Sequence, residues 1–226
     1  MARNTYQSRL DQLEEDVLYL SELTAERVRY ALDALEDKDE QKAQEVIEGD
    51  REINRIYLDL EQDCIDLLAL QQPVAGDLRF IAASFKIITD LERIGDLATN
   101  LAQYAIDAQN DVYAEVDIRR IGDAALDMVD QSMDAYEAEA TELCRSVAER
   151  DDNLDTMCDN ASQSIVRDLM SGDDFEGDGD LDPESALVDV RRLLLTVRDL
   201  ERIGDHAVNV AARTLYMIDN DDSLLF

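Results

Sequence analysis

Seven residues, Asp90-Leu91-Glu92-Arg93-Ile94-Gly95-Asp96, occur a second time unchanged as Asp199-Leu200-Glu201-Arg202-Ile203-Gly204-Asp205, and the match continues with Ala98 against Ala207 and Asn100 against Asn209. A repeat of this kind restricts the chain to folds made of two related units. Both copies lie late in segments of apolar periodicity, which predicts helix. Helix positions four apart share a face, so Glu92, Asp96 and Asn100 form one ridge of oxygen ligands and Glu201, Asp205 and Asn209 another. Gly95 and Gly204 have no side chain to hold a neighbouring helix or ligand away.

The rest of the chain fits the duplication. From about Arg3 to Asp37, the residues Leu10, Leu13, Val17, Leu20, Val28, Ala31, Leu32 and Leu35 recur mostly at steps of three and four, the pattern of an amphipathic helix. Asp37-Lys38-Asp39 breaks it. A second helix is predicted from about Glu40 to Gln71, with Val46, Ile53, Tyr57, Leu60, Cys64 and Leu67 as its stripe, and Gln72-Pro73 ends it, since proline disfavours the helical conformation before it and suits the next first turn. The third helix, from about Val74 to Ala108, carries the first motif copy.

Gln109-Asn110-Asp111 separates the halves. At a shift of 101 residues, Val28, Asp33, Ala34, Glu36, Val46, Glu48 and Asp50 meet Val129, Asp134, Ala135, Glu137, Val147, Glu149 and Asp151, whereas the motif helices align at a shift of 109. The extra residues fall in the Gly/Asp-rich stretch 171–180, closed by Asp182-Pro183-Glu184 as N-cap, first-turn proline and acidic first turn. Six long antiparallel helices in two tandem three-helix bundles, 1–109 and 110–226, are the expected all-α architecture. A single continuous helical array is the alternative that the repeat argues against.

The 226 residues carry a formal net charge of −33. Such a charge repels phosphate backbones and speaks against nucleic-acid binding. Because Asp and Glu occur in every segment, the acidity reads as a whole surface adapted to concentrated salt, and a halophilic source is expected. Cys64, Cys144 and Cys158 form no CxxC pair and read as small apolar core residues in a reducing compartment. With neither a signal-peptide pattern nor an apolar stretch long enough to span a bilayer, a cytoplasmic location is expected.

With so many carboxylates, a spacing of four means little by itself; antiparallel geometry discriminates. A turn between Gln72 and Pro73 sets Asp96 and Glu92 level with Asp50 and Asn54 of the second helix. In the second half, Asp205 and Glu201 come level with Asp151 and Asp155. Asp50 and Asp151 also sit within apolar stripes, where a carboxylate is costly unless paired or cation-bound. Arg51, Arg93, Arg150 and Arg202 are the alternative salt-bridge partners. Oxygen donors favour hard cations such as iron, manganese, magnesium or calcium over structural zinc. The single histidine, His206, reads as packed or supporting. A ferritin-like oxidase would need Glu-x-x-His pairs, yet Ile203 stands three residues before His206. No nucleophile elbow or phosphate-cradling glycine loop occurs, so no catalysis is expected. The ridge falls away from the core face of Leu91, Ile94, Ala98 and Leu101, which points to an exposed row.

Gln72-Pro73-Val74-Ala75-Gly76-Asp77-Leu78-Arg79, the repeated Leu-Glu-Arg-Ile-Gly-Asp at 91–96 and 200–205, and Asp-His-Ala-Val-Asn at 205–209 resemble the PhoU family of phosphate-transport regulators over essentially the whole chain. The resemblance implies two three-helix bundles, each with an acidic Glu/Asp-x-x-x-Asp motif that holds iron or zinc clusters in some members; by position these are Glu92 with Asp96 and Glu201 with Asp205. It further implies a non-enzymatic homodimer that restrains the phosphate ABC transporter through its ATPase subunit, meets the membrane only through partners, and acts on a sensor kinase where one exists. A metal-binding bundle with storage or redox duties is the second expectation. Leu97 stands where the second half has His206, so any role of that histidine is confined to one half.

Overall fold

The apolar stripes become buried helix faces. In the computed structural model, which describes residues 2–70, 74–108, 116–171 and 183–225, the elements are α1 (Ala2–Asp37), α2 (Glu40–Leu70), α3 (Ala75–Ile106), α4 (Ile118–Glu137), α5 (Thr141–Ser171) and α6 (Pro183–Asp219). Leu10, Leu13, Val17, Leu20, Val28, Ala31 and Leu32 of α1 are buried with Val46, Ile53, Leu60, Cys64 and Leu67 of α2, while Leu35 and Tyr57 pack half-buried against them. Each fully buried leucine or isoleucine contributes about 1.5–3 kcal/mol. All three cysteines are buried and free. The expected turn at Gln72-Pro73, the separator at 109–111, the Gly/Asp-rich stretch 172–180 and the Asp182 cap lie outside the described residues. Among the described residues no helix is long and apolar enough to cross a membrane.

The α1–α2 and α4–α5 connections use one device. Lys38 and Glu139, equivalent under the repeat, both take left-handed φ, 53° and 47°. The amide that follows each closes back on its helix, Asp39 N to Ala34 O at 3.1 Å and Ala140 N to Ala135 O at 3.0 Å, as helix ends with a left-handed residue do. Asp39 then caps α2, accepting from the amides of Gln41 and Lys42 at 3.0 Å each. Asp117 caps α4 through the Arg120 amide at 2.9 Å.

α1, α2 and α3 pack on one another, as do α4, α5 and α6; the halves meet with α3 against α6 and α1 against α4, leaving α2 and α5 outermost. The result is two three-helix bundles joined side by side. Tyr136 of α4 reaches into the first bundle, with its hydroxyl 2.8 Å from Ser84 Oγ and its ring stacked on Phe80 at 6.1 Å, so the core is continuous. A pseudo-two-fold axis relates the halves. Arg29 Nη2 meets Asp130 Oδ2, its own equivalent 101 residues on, at 2.8 Å. Across α3 and α6, Asn100 donates to Asp199 and Asn209 donates to Asp90, at 3.3 Å each.

Candidate functional site

Glycine sets how closely the motif helices approach their neighbours. A Cβ at Gly95 would stand 3.2 Å from Ile53 Cδ1 and Cγ2, and one at Gly204 would overlap Leu154 Cδ2 and lie 3.7 Å from Asp151 Oδ1. This contact brings the α3 ridge beside Asp50 on α2 and the α6 ridge beside Asp151 on α5, at the levels that antiparallel pairing predicts.

In the first cluster, burial and the charge of Asp96 raise the Asp50 carboxyl, while Asn54 and Thr99 oppose the rise by hydrogen bonding. The Asn54 Nδ2 to Asp50 Oδ2 distance is 2.6 Å. Glu92 is raised by burial, then by Asp96, with Arg93 opposing. In the second cluster, burial and the charges of Asp155, Asp205, Asp152 and Glu201 push Asp151 up to about 6. Its Oδ1 is buried with no hydrogen-bond partner. Asp155 and Glu201 are each raised by burial first, then by their acidic neighbours, Asp205 for Asp155 and Asp155 with Asp205 for Glu201. Asp96, Asp155 and Asp205 are exposed; Asp50, Glu92, Asp151 and Glu201 are half-buried. The row thus lies at the surface with its inner members shielded.

Arg93, Arg150 and Arg202 leave Asp50 and Asp151 unneutralised, although Arg93 stays beside the ridge. Arg93 lies 3.8 Å from Glu92, Arg150 bonds Gln131 at 2.8 Å and Asp127 at 3.3 Å, and Arg202 approaches Asp199 at 4.0 Å. Among the described residues no arginine, Arg51 included, pairs with Asp50 or Asp151. The orphaned Asp151 oxygen and its all-carboxylate surroundings suit a hard cation in donor chemistry. As they stand, no three His, Cys, Asp or Glu side chains among the described residues are gathered to hold a metal ion.

Asn100 and Asn209 leave their ridges and serve the α3–α6 interface instead. There, two aspartates that sequence reasoning had not singled out do the work. Asp199, fully buried, accepts from Tyr104 Oη at 2.9 Å, from Asn100 Nδ2 at 3.3 Å, and from Arg198 Nε and Nη2 at 3.0 and 2.7 Å. Burial, with Asp199 adding to it, raises the Tyr104 hydroxyl to about 12. Asp90 holds His206, whose Nδ1 lies 2.8 Å from its Oδ1. The signal was present: Asp90 stands three after Ile87 and four before Ile94, in the same apolar stripe position that drew attention to Asp50.

The PhoU domain model matches this chain twice, at residues 17–105 and 118–214, and the two matches take in the two carboxylate clusters. The chain belongs to the PhoU family. Its relatives within that family include the phosphate-specific transport system accessory protein PhoU homolog 1 of Methanothermobacter thermautotrophicus, 34% identical over 96% of this chain and 95% of that protein. The PhoU homolog of Pseudomonas aeruginosa is 33% identical over 96% of this chain and 86% of its own. Among solved structures, PhoU from Pseudomonas aeruginosa superposes with a TM-score of 0.87 at 32% identity, covering 96% of this chain and all of that one. The phosphate transport system regulatory protein PhoU from Streptococcus pneumoniae does so with a TM-score of 0.85 at 27% identity, covering 96% and 98%.

Proposed function

We propose that this PhoU-family chain is a non-enzymatic, cytoplasmic regulator of phosphate uptake and phosphate-responsive signalling. It restrains the phosphate ABC transporter by docking on the ATPase subunit, acts on a sensor kinase where the cell has one, and works as a homodimer whose protomers each carry the repeats 1–109 and 110–226. The observation that carries this reading is similarity over 96% of the chain to proteins named as accessories of phosphate-specific transport. Loss of the chain should raise phosphate uptake and switch on phosphate-responsive genes in phosphate-rich medium; identical uptake and expression with and without it across phosphate supply would refute the proposal.

The acidic ridges are proposed to take cations, with Asp151, Asp155, Glu201 and Asp205 as donors in the second half and Asp50, Glu92 and Asp96 in the first. Support comes from the unpartnered Asp151 oxygen. Elemental analysis after purification without chelator should find iron, zinc or manganese, reduced by Glu92→Gln with Glu201→Gln; a metal content indifferent to both substitutions would remove these residues as ligands. The net charge of −33 supports a halophilic source, in which case the unfolding midpoint should climb steeply between about 0.1 and 1 M salt as the Debye length shortens from about 10 to 3 Å.

A further inference from the structure

Apart from three tyrosines, the large hydrophobic side chains left exposed among the described residues are not scattered. Leu58, Ile65, Leu68, Val74 and Leu78 lie in the second half of α2 and at the start of α3, and the others lie at the equivalent ends of α5 and α6. A lone exposed leucine is ordinary, but a patch gathered at one end of a bundle, and again at its repeat, marks an interaction surface.

This patch runs into the acidic cluster. Steps of seven and four stay on one face of a helix, so Leu68, Glu61, Asn54 and Asp50 follow one another along α2, and Leu78, Phe85, Glu92 and Asp96 along α3. Antiparallel packing of α2 on α3 sets them level in pairs, Leu68 with Leu78, Glu61 with Phe85, Asn54 with Glu92 and Asp50 with Asp96. On α6 the order recurs as Leu187, Leu194, Glu201 and Asp205. The groove is therefore apolar at its outer end and acidic about 21 Å further in, at 1.5 Å per helical residue.

Its complement must be apolar at one end and cationic at the other. A metal ion would answer the carboxylates and leave Leu68 and Leu78 uncovered. A second copy of this chain, with a net charge of −33, is a poor source of the cationic end. Arg93, 3.8 Å from Glu92, is the one arginine beside the ridge, against the three carboxylates of Asp50, Glu92 and Asp96. An amphipathic helix laid in the groove meets both requirements, since its residues a turn apart point the same way.

We propose that the α2–α3 groove docks an amphipathic helix of a partner protein, with leucine-like side chains against Leu68 and Leu78 and arginine or lysine side chains on Asp50, Glu92 and Asp96. Cations proposed above for the same carboxylates would compete with the basic end of that helix. The inference stands without the phosphate reading.

Fluorescence anisotropy of the full chain with a labelled peptide of about 20 residues tests it, the peptide carrying leucines on one face of its first half and arginines on the same face of its second. Chelator is present, and salt at about 1 M limits diffuse attraction to the acidic surface to about 3 Å. The peptide should bind with a dissociation constant on the order of 10 μM, at least tenfold tighter than a scrambled peptide of the same composition. Leu68→Ser with Leu78→Ser, at exposed positions that the fold does not need, should weaken binding about tenfold, and Glu92→Gln with Asp96→Asn about threefold. No binding, equal affinity for the scrambled peptide, or indifference to either pair of substitutions would overturn the assignment. So would self-association that the serine pair abolishes while the peptide fails to bind, because the face would then belong to a second copy.

Discussion

At the first carboxylate cluster Asp50 has Asn54 and Thr99 as hydrogen-bonding neighbours; at the second, the equivalent positions hold Asp155 and Val208. One substitution replaces a donor by a charge and the other replaces a hydroxyl by a methyl. The seven-residue motif on α3 and α6 is identical, yet Asp50 is satisfied from within the protein while Asp151 is left with a buried, unpartnered oxygen among four acidic neighbours. The character of each site is therefore decided by the helix opposite the motif and by the residue one turn past it. The second cluster is the one that gains most from a proton or a cation.

The comparison can be broken most forcefully at the α3–α6 interface. Asp199→Ala removes a fully buried carboxylate with four donors and is expected to destabilise by about 3 kcal/mol, whereas Asp90→Ala, at the partly open equivalent, costs about half as much. Denaturant midpoints of the two variants check this, and equal losses would contradict it. Next comes Asp151→Asn. The folded-state pKa of Asp151 is raised from 3.8 to about 6, so its contribution to stability is fully present below about pH 3.8 and is lost as pH rises through about 6. With chelator present, the asparagine variant should gain about 1–2 kcal/mol at neutral pH, after discounting for the solvent that reaches the site, and its melting temperature should fall less between pH 4 and 7. Asp50→Asn should show a smaller gain. Parallel pH profiles for Asp151→Asn and the parent chain would count against the contrast.

Smaller effects sharpen the same comparison. Gly204→Ala gains about 1 kcal/mol of helix propensity but drives a methyl into Leu154, for a net loss of about 1 kcal/mol; Gly95→Ala, meeting Ile53 at 3.2 Å, should be close to neutral. Thermal melts of the pair resolve the difference. Last, Glu139→Gly relieves a left-handed glutamate and should stabilise by about 0.5–1 kcal/mol, a change that calorimetry can register.

The six helices and their grouping were legible because apolar residues recur at the helical period and because the second half repeats the first. The levels of Asp50 and Asp151 were legible too, since antiparallel pairing about a short turn fixes heights. Asn100 was not. Four residues advance a helix by a full turn and about 40°, so by two such steps from Glu92 the side chain has swung about 80° and faces α6 rather than α2. A reading of one bundle at a time has no place for that neighbour. The same limit hid Asp90 and Asp199, whose partners come from the other half.

The contact between Arg29 and Asp130 carries a consequence for how the two halves relate. Each is the other's counterpart under the repeat, and they sit where the pseudo-two-fold axis passes. A free-standing single repeat with arginine there would, on pairing with itself, set two positive charges face to face, and one with aspartate would set two negative ones. A chain that contains both versions replaces that repulsion by an attraction, and since both side chains are about half exposed the pair is worth about 1 kcal/mol or less, so exchanging either half for a second copy of the other loosens the seam by that order.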